Sequence, residues 1–151
     1  VLLRRFEPPY EVVDSIKSVL SNTGSTNFYF SNAANNTDYY IVVKHKNSVE
    51  TWSSQPVRFN FGHAAYSFTD SVTRAYGSNL ILKSGKYCIY SGDVNQDGVI
   101  DATDFGSVDN SAFNFATGTV IDDLNGDFIV DAFDLSLVDN NSFSFISVIR
   151  P

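Results

Sequence analysis

Two patterns of apolar and polar residues divide the chain near residue 90. Before it, short runs alternate apolar and polar side chains, and polar turns separate them. Tyr10–Ser21, Thr26–Ser31, Tyr39–Lys46, Val49–Ser54, Val57–Gly62, Ala65–Asp70, Leu80–Lys83 and Lys86–Ser91 read as strands. Tyr, Val, Ile, Phe and Thr dominate these runs, as expected of strands with one buried face. "SNTGS" and "NAANN" supply turn residues. Short strands at this spacing predict an antiparallel β-sandwich over residues 1–90. Within "SFTDSVTRAYGSN" (Ser67–Asn79) there is room for one helical turn.

After residue 90 the pattern repeats at an offset of thirty residues. Asp93, Asn95, Asp97, Asp101, Ala102, Asp104, Val108, Asp109, Asn110, Phe113 and Phe115 return as Asp123, Asn125, Asp127, Asp131, Ala132, Asp134, Val138, Asp139, Asn140, Phe143 and Phe145. Residues 91–151 therefore read as a second domain made of one duplicated unit. Its two copies would pack together to bury what neither buries alone.

The repeated positions carry a specific chemistry. With Asp93 first in a twelve-residue loop, side-chain oxygens fall at the first, third, fifth, ninth and twelfth places: Asp93, Asn95, Asp97, Asp101 and Asp104. Gly98 falls sixth, where the chain turns sharply, and Val99 falls seventh, where a backbone carbonyl faces inward. Ile100, eighth, is apolar and can meet its counterpart in the second copy. This is the spacing of a calcium loop, which offers a hard divalent cation six to eight oxygens in flexible geometry. Magnesium, reluctant to shed water, suits such a loop less well. The second loop offers Asp123, Asn125, Asp127, the Ile129 carbonyl, Asp131 and Asp134. Phe128 stands at its sixth place and Gly126 at its fourth, so distortion or weaker binding is expected there. Without a cation, so many carboxylates in one turn would repel one another.

"GDVNQDGVIDATDFGSVDN" and "DLNGDFIVDAFDLSLVDNN" resemble the two calcium-binding repeats of a type I dockerin, over about Gly92–Asn141. The resemblance implies two bound calcium ions, a secreted setting and a cohesin-like protein partner. It also implies one helix after each loop, here about Ala102–Val108 and Ala132–Val138. Gly106 and Ser107 stand where the family carries bulkier residues. The front of the chain, "YYIVVKHKNSVETWSS" followed by "YCIYSGDVNQDG", is similar to uncharacterised secreted modules of Bacteroidetes-type and Ignavibacteria-type bacteria. Those modules join a small sandwich, Ig-like or prealbumin-like, to dockerin-like repeats, with a further strand expected ahead of "VLLRR".

Charge follows the same division. Residues 1–90 carry a net +3 and residues 91–151 a net −10, giving −7 in all. No stripe of Lys and Arg exists, so nucleic acid is not expected as a partner. No apolar run approaches the ~18 residues of a membrane span. Cys88 is the only cysteine, so no internal disulfide forms. The chain holds no Met, which suggests a processed or trimmed terminus and agrees with secretion to the extracellular space or cell surface.

Catalysis is not expected. His45 and His63 sit in no nucleophile or zinc motif, and Glu7, Glu11 and Glu50 are scattered. Trp52 with Tyr39, Tyr40 and Tyr90 would fill a core, with a sugar-stacking platform as the alternative. Asp109 and Asp139, outside the ligand set, would cap the end of each short helix or hydrogen-bond a turn. Asn35 opens an N-x-T triplet that matters only in a glycosylating host.

"SAFNFATGTV" and "NSFSFISVIR" alternate like strands. The second, Ser142–Arg150, would return to its own sheet or add to the edge of a neighbour. The expectation is a non-enzymatic, calcium-stabilised subunit. It would self-assemble head to tail into a filament, tube or surface layer. The alternatives are an adaptor for a cohesin-like partner and a carbohydrate-binding module.

Overall fold

The computed structural model describes the whole chain, Val1–Pro151. In chain order it forms β1 (Leu2–Arg5), β2 (Val12–Ser15), β3 (Thr37–Val43), β4 (Thr51–Trp52), β5 (Val57–Phe59), β6 (Ile81–Lys83), β7 (Lys86–Cys88), α1 (Ala102–Phe113) and α2 (Ala132–Phe143). The strands β2-β1-β3-β4 lie side by side in one antiparallel sheet, and β5 also pairs with β3. A separate hairpin joins β6 to β7. The fold is mainly antiparallel β with two helices.

The sheet is organised by β3, "TDYYIVV". One of its edges pairs with β1; the other is shared by β5, opposite Thr37–Tyr39, and β4, opposite Val42–Val43. Its β-branched and aromatic residues suit a strand buried on both faces. Tyr39 on one face packs with Leu3 and Phe59. Tyr40 and Val42 on the other pack with Trp52, and Tyr10 and Tyr76 close over them with edge-on rings. Val42 is fully buried, which is worth about 2 kcal/mol.

Several expected strands are absent. Thr26–Ser31 stays unpaired; its alternation serves ring packing, Phe28 on Phe30 and Phe30 on Phe59. Ala65–Asp70 is likewise irregular, with Tyr66 against Phe68 and the Arg74 guanidinium over the Tyr66 ring. Most of Tyr10–Ser21 lies outside β2. In contrast, β1 was not anticipated, because "LLRR" has no alternation to read. The helical turn within Ser67–Asn79 appears as two short 3-10 turns, Val72–Arg74 and Tyr76–Ser78.

Each repeat helix opens on a reciprocal cap. Asp101 and Asp131 accept from backbone N–H groups of the first turn, while Asp104 and Asp134 accept from the backbone N–H of Asp101 and Asp131. The helices run to Phe113 and Phe143, five residues beyond the expected ends. Asp109 and Asp139 therefore lie exposed inside the helices and cap nothing.

The trailing segments are not strands either. After α1, Thr117 forms one bridge with Ile129; after α2, Ser147 forms one with Val99. Each tail thus pairs with the loop of the other repeat. Because a loop begins its own helix and meets the end of the other, α1 and α2 run antiparallel. The two loops sit at opposite ends of helices about 18 Å long. Between them Val94, Ile100, Val108, Val130 and Val138 form one core, and the eighth residue of each loop belongs to it.

Val49 completes that core from the front half. The turn carrying it holds the start of both loops. The Asn47 carbonyl accepts from Gly92 N–H at 2.7 Å, and its side-chain amide donates to the Ile121 and Asp123 carbonyls, both at 2.9 Å. Lys46 donates to the Val120 carbonyl at 2.6 Å. Asn47→Ala leaves the buried Asp123 carbonyl and the part-buried Ile121 carbonyl without this donor and is expected to destabilise the fold by about 2 kcal/mol. Exposed Asn110→Ala is the control, and urea midpoints measure both.

Candidate metal loops

The backbone of each loop is set by short-range bonds among its own side chains. Asn95 accepts from the Asp97 N–H and Asp97 from the Val99 N–H, at 2.8 and 2.9 Å; Asn125 and Asp127 repeat this with Asp127 and Ile129. Such turns arise where Asn and Asp alternate with other residues. Asp104 lies fully buried and accepts from the Val94 and Asn95 N–H groups with one oxygen and from Asp101 N–H with the other. Asp134 does the same with Leu124, Asn125 and Asp131. The twelfth residue therefore fastens the start of each loop to the first turn of its helix.

The loops differ at their first residue. Asp93 is buried, and its Oδ1 has no hydrogen-bond partner. Burial pushes its carboxyl above the usual range, and the charges of Asp104 and Asp97 add to the effect against opposing backbone bonds. In loop 2, Asp123 Oδ1 accepts from Gly126 N–H at 2.7 Å and Oδ2 from Phe128 N–H at 3.2 Å, so both oxygens are engaged.

The sixth residue is left-handed in both loops. Gly98 lies at φ +94, and a Cβ there would meet Val148 Cγ1 at 3.0 Å. Phe128, its counterpart, adopts φ 71. A bulky residue in this region costs about 1–2 kcal/mol, and Phe128 is 59% exposed, so burial returns little.

A cation fits loop 1 on two observations. One is the orphaned, buried Asp93 oxygen, which is costly to leave unpaired. The other is the Val99 carbonyl, which accepts no hydrogen bond from the chain. Asp93, Asn95, Asp97, the Val99 carbonyl, Asp101 and Asp104 would hold it. Loop 2 keeps the same residue types, and its Ile129 carbonyl is equally free, but its first carboxylate is already satisfied. In neither loop do three carboxylates converge into a ready cluster, so a cation would draw its ligands inward. Comparison of the chain with protein families, with curated proteins and with solved structures finds no match.

The remaining candidates take ordinary places. Trp52, Tyr39 and Tyr40 are buried in the two faces of the sheet, where no sugar can stack on them. His45, His63, Glu7 and Glu11 are exposed, and Glu11 pairs with Arg5 at 3.5 Å. Glu50, expected with Glu7 and Glu11 to be a scattered surface glutamate, departs from that expectation. It is buried and accepts from the Trp52 indole N–H at 2.7 Å and from Arg150 at 3.0 Å, with Lys44 at 3.6 Å. An acidic residue two positions before a core Trp was the available signal.

For Glu50, burial raises the pKa, but the Trp52 bond and the charges of Arg150 and Lys44 outweigh it, so the net shift is downward. A lowered folded pKa contributes stability above the unfolded value, about 4.3. That stability is lost as pH falls through the folded pKa. Glu50→Gln is therefore expected to flatten the acid limb of a stability–pH curve below about pH 5, read from urea midpoints.

Proposed function

We propose that this chain is a non-enzymatic, secreted, calcium-binding structural protein, the subunit of a self-assembling extracellular filament, tube or surface layer. In this reading residues 1–90 act as a β-sandwich-like module, and residues 91–151 act as a dockerin-like pair of calcium repeats. The observation that carries the reading is the orphaned Asp93 oxygen inside a loop with calcium spacing. Calcium would stabilise the fold by mass action, because the unfolded chain offers no cage. It would neutralise the carboxylates at one end of a helix pair whose core includes Val49 of the front half. Self-assembly draws on the charge division, +3 against −10, which favours head-to-tail over head-to-head contact.

A second reading, an adaptor for a cohesin-like partner, is favoured by the dockerin-like ligand pattern itself. Tight one-to-one binding to a cohesin, with no self-association, would select it.

Two tests follow. The sign of the Asp93 pKa shift makes the ionised side chain unfavourable in the fold when no cation is present. Asp93→Asn is thus expected to raise the melting temperature in chelator and lower it in millimolar calcium. A shift of equal size and sign in both would refute calcium at loop 1. Negative-stain electron microscopy in calcium is expected to show ordered filaments or tubes that fray on chelation. Dispersed particles in both conditions would remove the assembly reading.

A further inference from the structure

We propose that Phe113 and Phe115, with Phe128 and Ile129 beside them, form the contact by which one copy of this chain docks on another. They would seat in the cavity between the β6–β7 hairpin and the second repeat. This inference rests on the self-assembly reading and names its contact.

The four side chains are 80%, 86%, 59% and 51% exposed. The Thr117–Ile129 bridge and the bond from Gly118 N–H to the Phe128 carbonyl bring the segment that follows Phe113 and Phe115 against the loop that carries Phe128 and Ile129. Phe115 and Phe128 both lie at positive φ, 54 and 71. Large aromatic residues thus occupy strained positions while burying little in the single chain. Exposed apolar clusters of this kind mark contact surfaces, and strain without a folding return points to a role outside folding.

The cavity holds about 340 Å³ and is lined by Ile81, Ile89, Leu124 and Leu137, with Lys83 and Cys88 on the hairpin side. That volume lies at the lower end of the ~300–1,000 Å³ of pockets that enclose small ligands, a fit for aromatic side chains. Charge selects the occupant. Exposed Asp109, one helical turn before Phe113, flanks the aromatic patch, and exposed Lys83 and Lys86 flank the cavity. An acidic residue beside the patch disfavours an anionic membrane, whereas the basic hairpin of a second copy complements it. The related pair Phe143 and Phe145 has Gly98 where the first patch has Phe128, so it lacks that extension and serves as the internal comparison.

Cys88 makes the contact measurable, because it is the sole cysteine, is exposed and lines the cavity. The native chain in calcium is followed by sedimentation and by the rate of maleimide labelling across a concentration series. Labelling is expected to slow at least tenfold as association sets in, and chain pre-labelled with a bulky maleimide is expected to stay monomeric. The double variant Phe113→Ser/Phe115→Ser is expected to remain monomeric with an unchanged melting temperature, while Phe143→Ser/Phe145→Ser associates as the native chain does. Association with undiminished Cys88 labelling, or undiminished association of the Phe113/Phe115 variant, overturns this contact and leaves self-assembly standing. Monomers at every concentration in calcium overturn both.

Discussion

Asn47 lies where three parts of the chain meet, and it bonds to backbone groups at the start of both repeats. The duplicated repeats form a small core of mostly valine side chains. Two helices of this length bury too little apolar surface to be secure alone. Val49 adds a side chain from the sheet half, and Asn47 satisfies backbone groups at the start of both loops. Its side chain reaches loop 2 while its carbonyl holds Gly92 ahead of loop 1. Further bonds run between the halves at other points: Gln96 to the Ser48 carbonyl and Asn79 to the Ser147 carbonyl. The geometry of both loops therefore depends on a turn between β3 and β4, remote from them in sequence.

Duplication preserved the loop chemistry and let the surroundings diverge. In loop 1, Gln96 sits at φ 61 and spends its side chain on the Ser48 and Asp93 carbonyls. Its counterpart, Gly126, has no side chain, and its N–H turns to Asp123 instead. Asp122, with no acidic counterpart at Gly92, is buried and accepts from Ser107 and Ser111 of α1 at 2.9 and 2.7 Å. Loop 2 is thus held by bonds internal to the protein, whereas loop 1 keeps one carboxylate oxygen unengaged.

How much of this was legible in the sequence depended on the range of the interaction. The eighth-residue core contacts follow from spacing within a dozen residues, so Ile100 was readable, whereas the helix caps at Asp101 and Asp131 were not, because those side chains read as metal ligands. The expected strands failed where alternation served aromatic packing rather than pairing, as at Phe28 and Phe30. The tails failed because Phe113–Phe115 and Phe143–Phe145 alternate across a helix end, where a left-handed residue follows the cap and mimics a strand's period. The Asn47 and Glu50 contacts span some 74 to 100 positions. Nothing local distinguishes a clamping Asn from a turn Asn.

Two buried carboxylates show why the acidic half looks outward for charge. Glu50 is compensated from within: an indole N–H, Arg150 and Lys44 surround it, and its pKa falls despite burial. Asp93 has only carboxylates and backbone for company, and its pKa rises. The difference follows from composition. Arg150 is the one basic side chain after residue 90, and Glu50 already holds it. No lysine or arginine of the repeats remains to neutralise either loop. Compensation must come from a mobile cation, from basic residues of the sheet half, or from those of another copy. The deeper carboxylates, Asp93 above all, are of a size and depth that a small hard cation would match. The exposed ones outside the loops, Asp109 and Asp139, suit lysines carried on a protein surface.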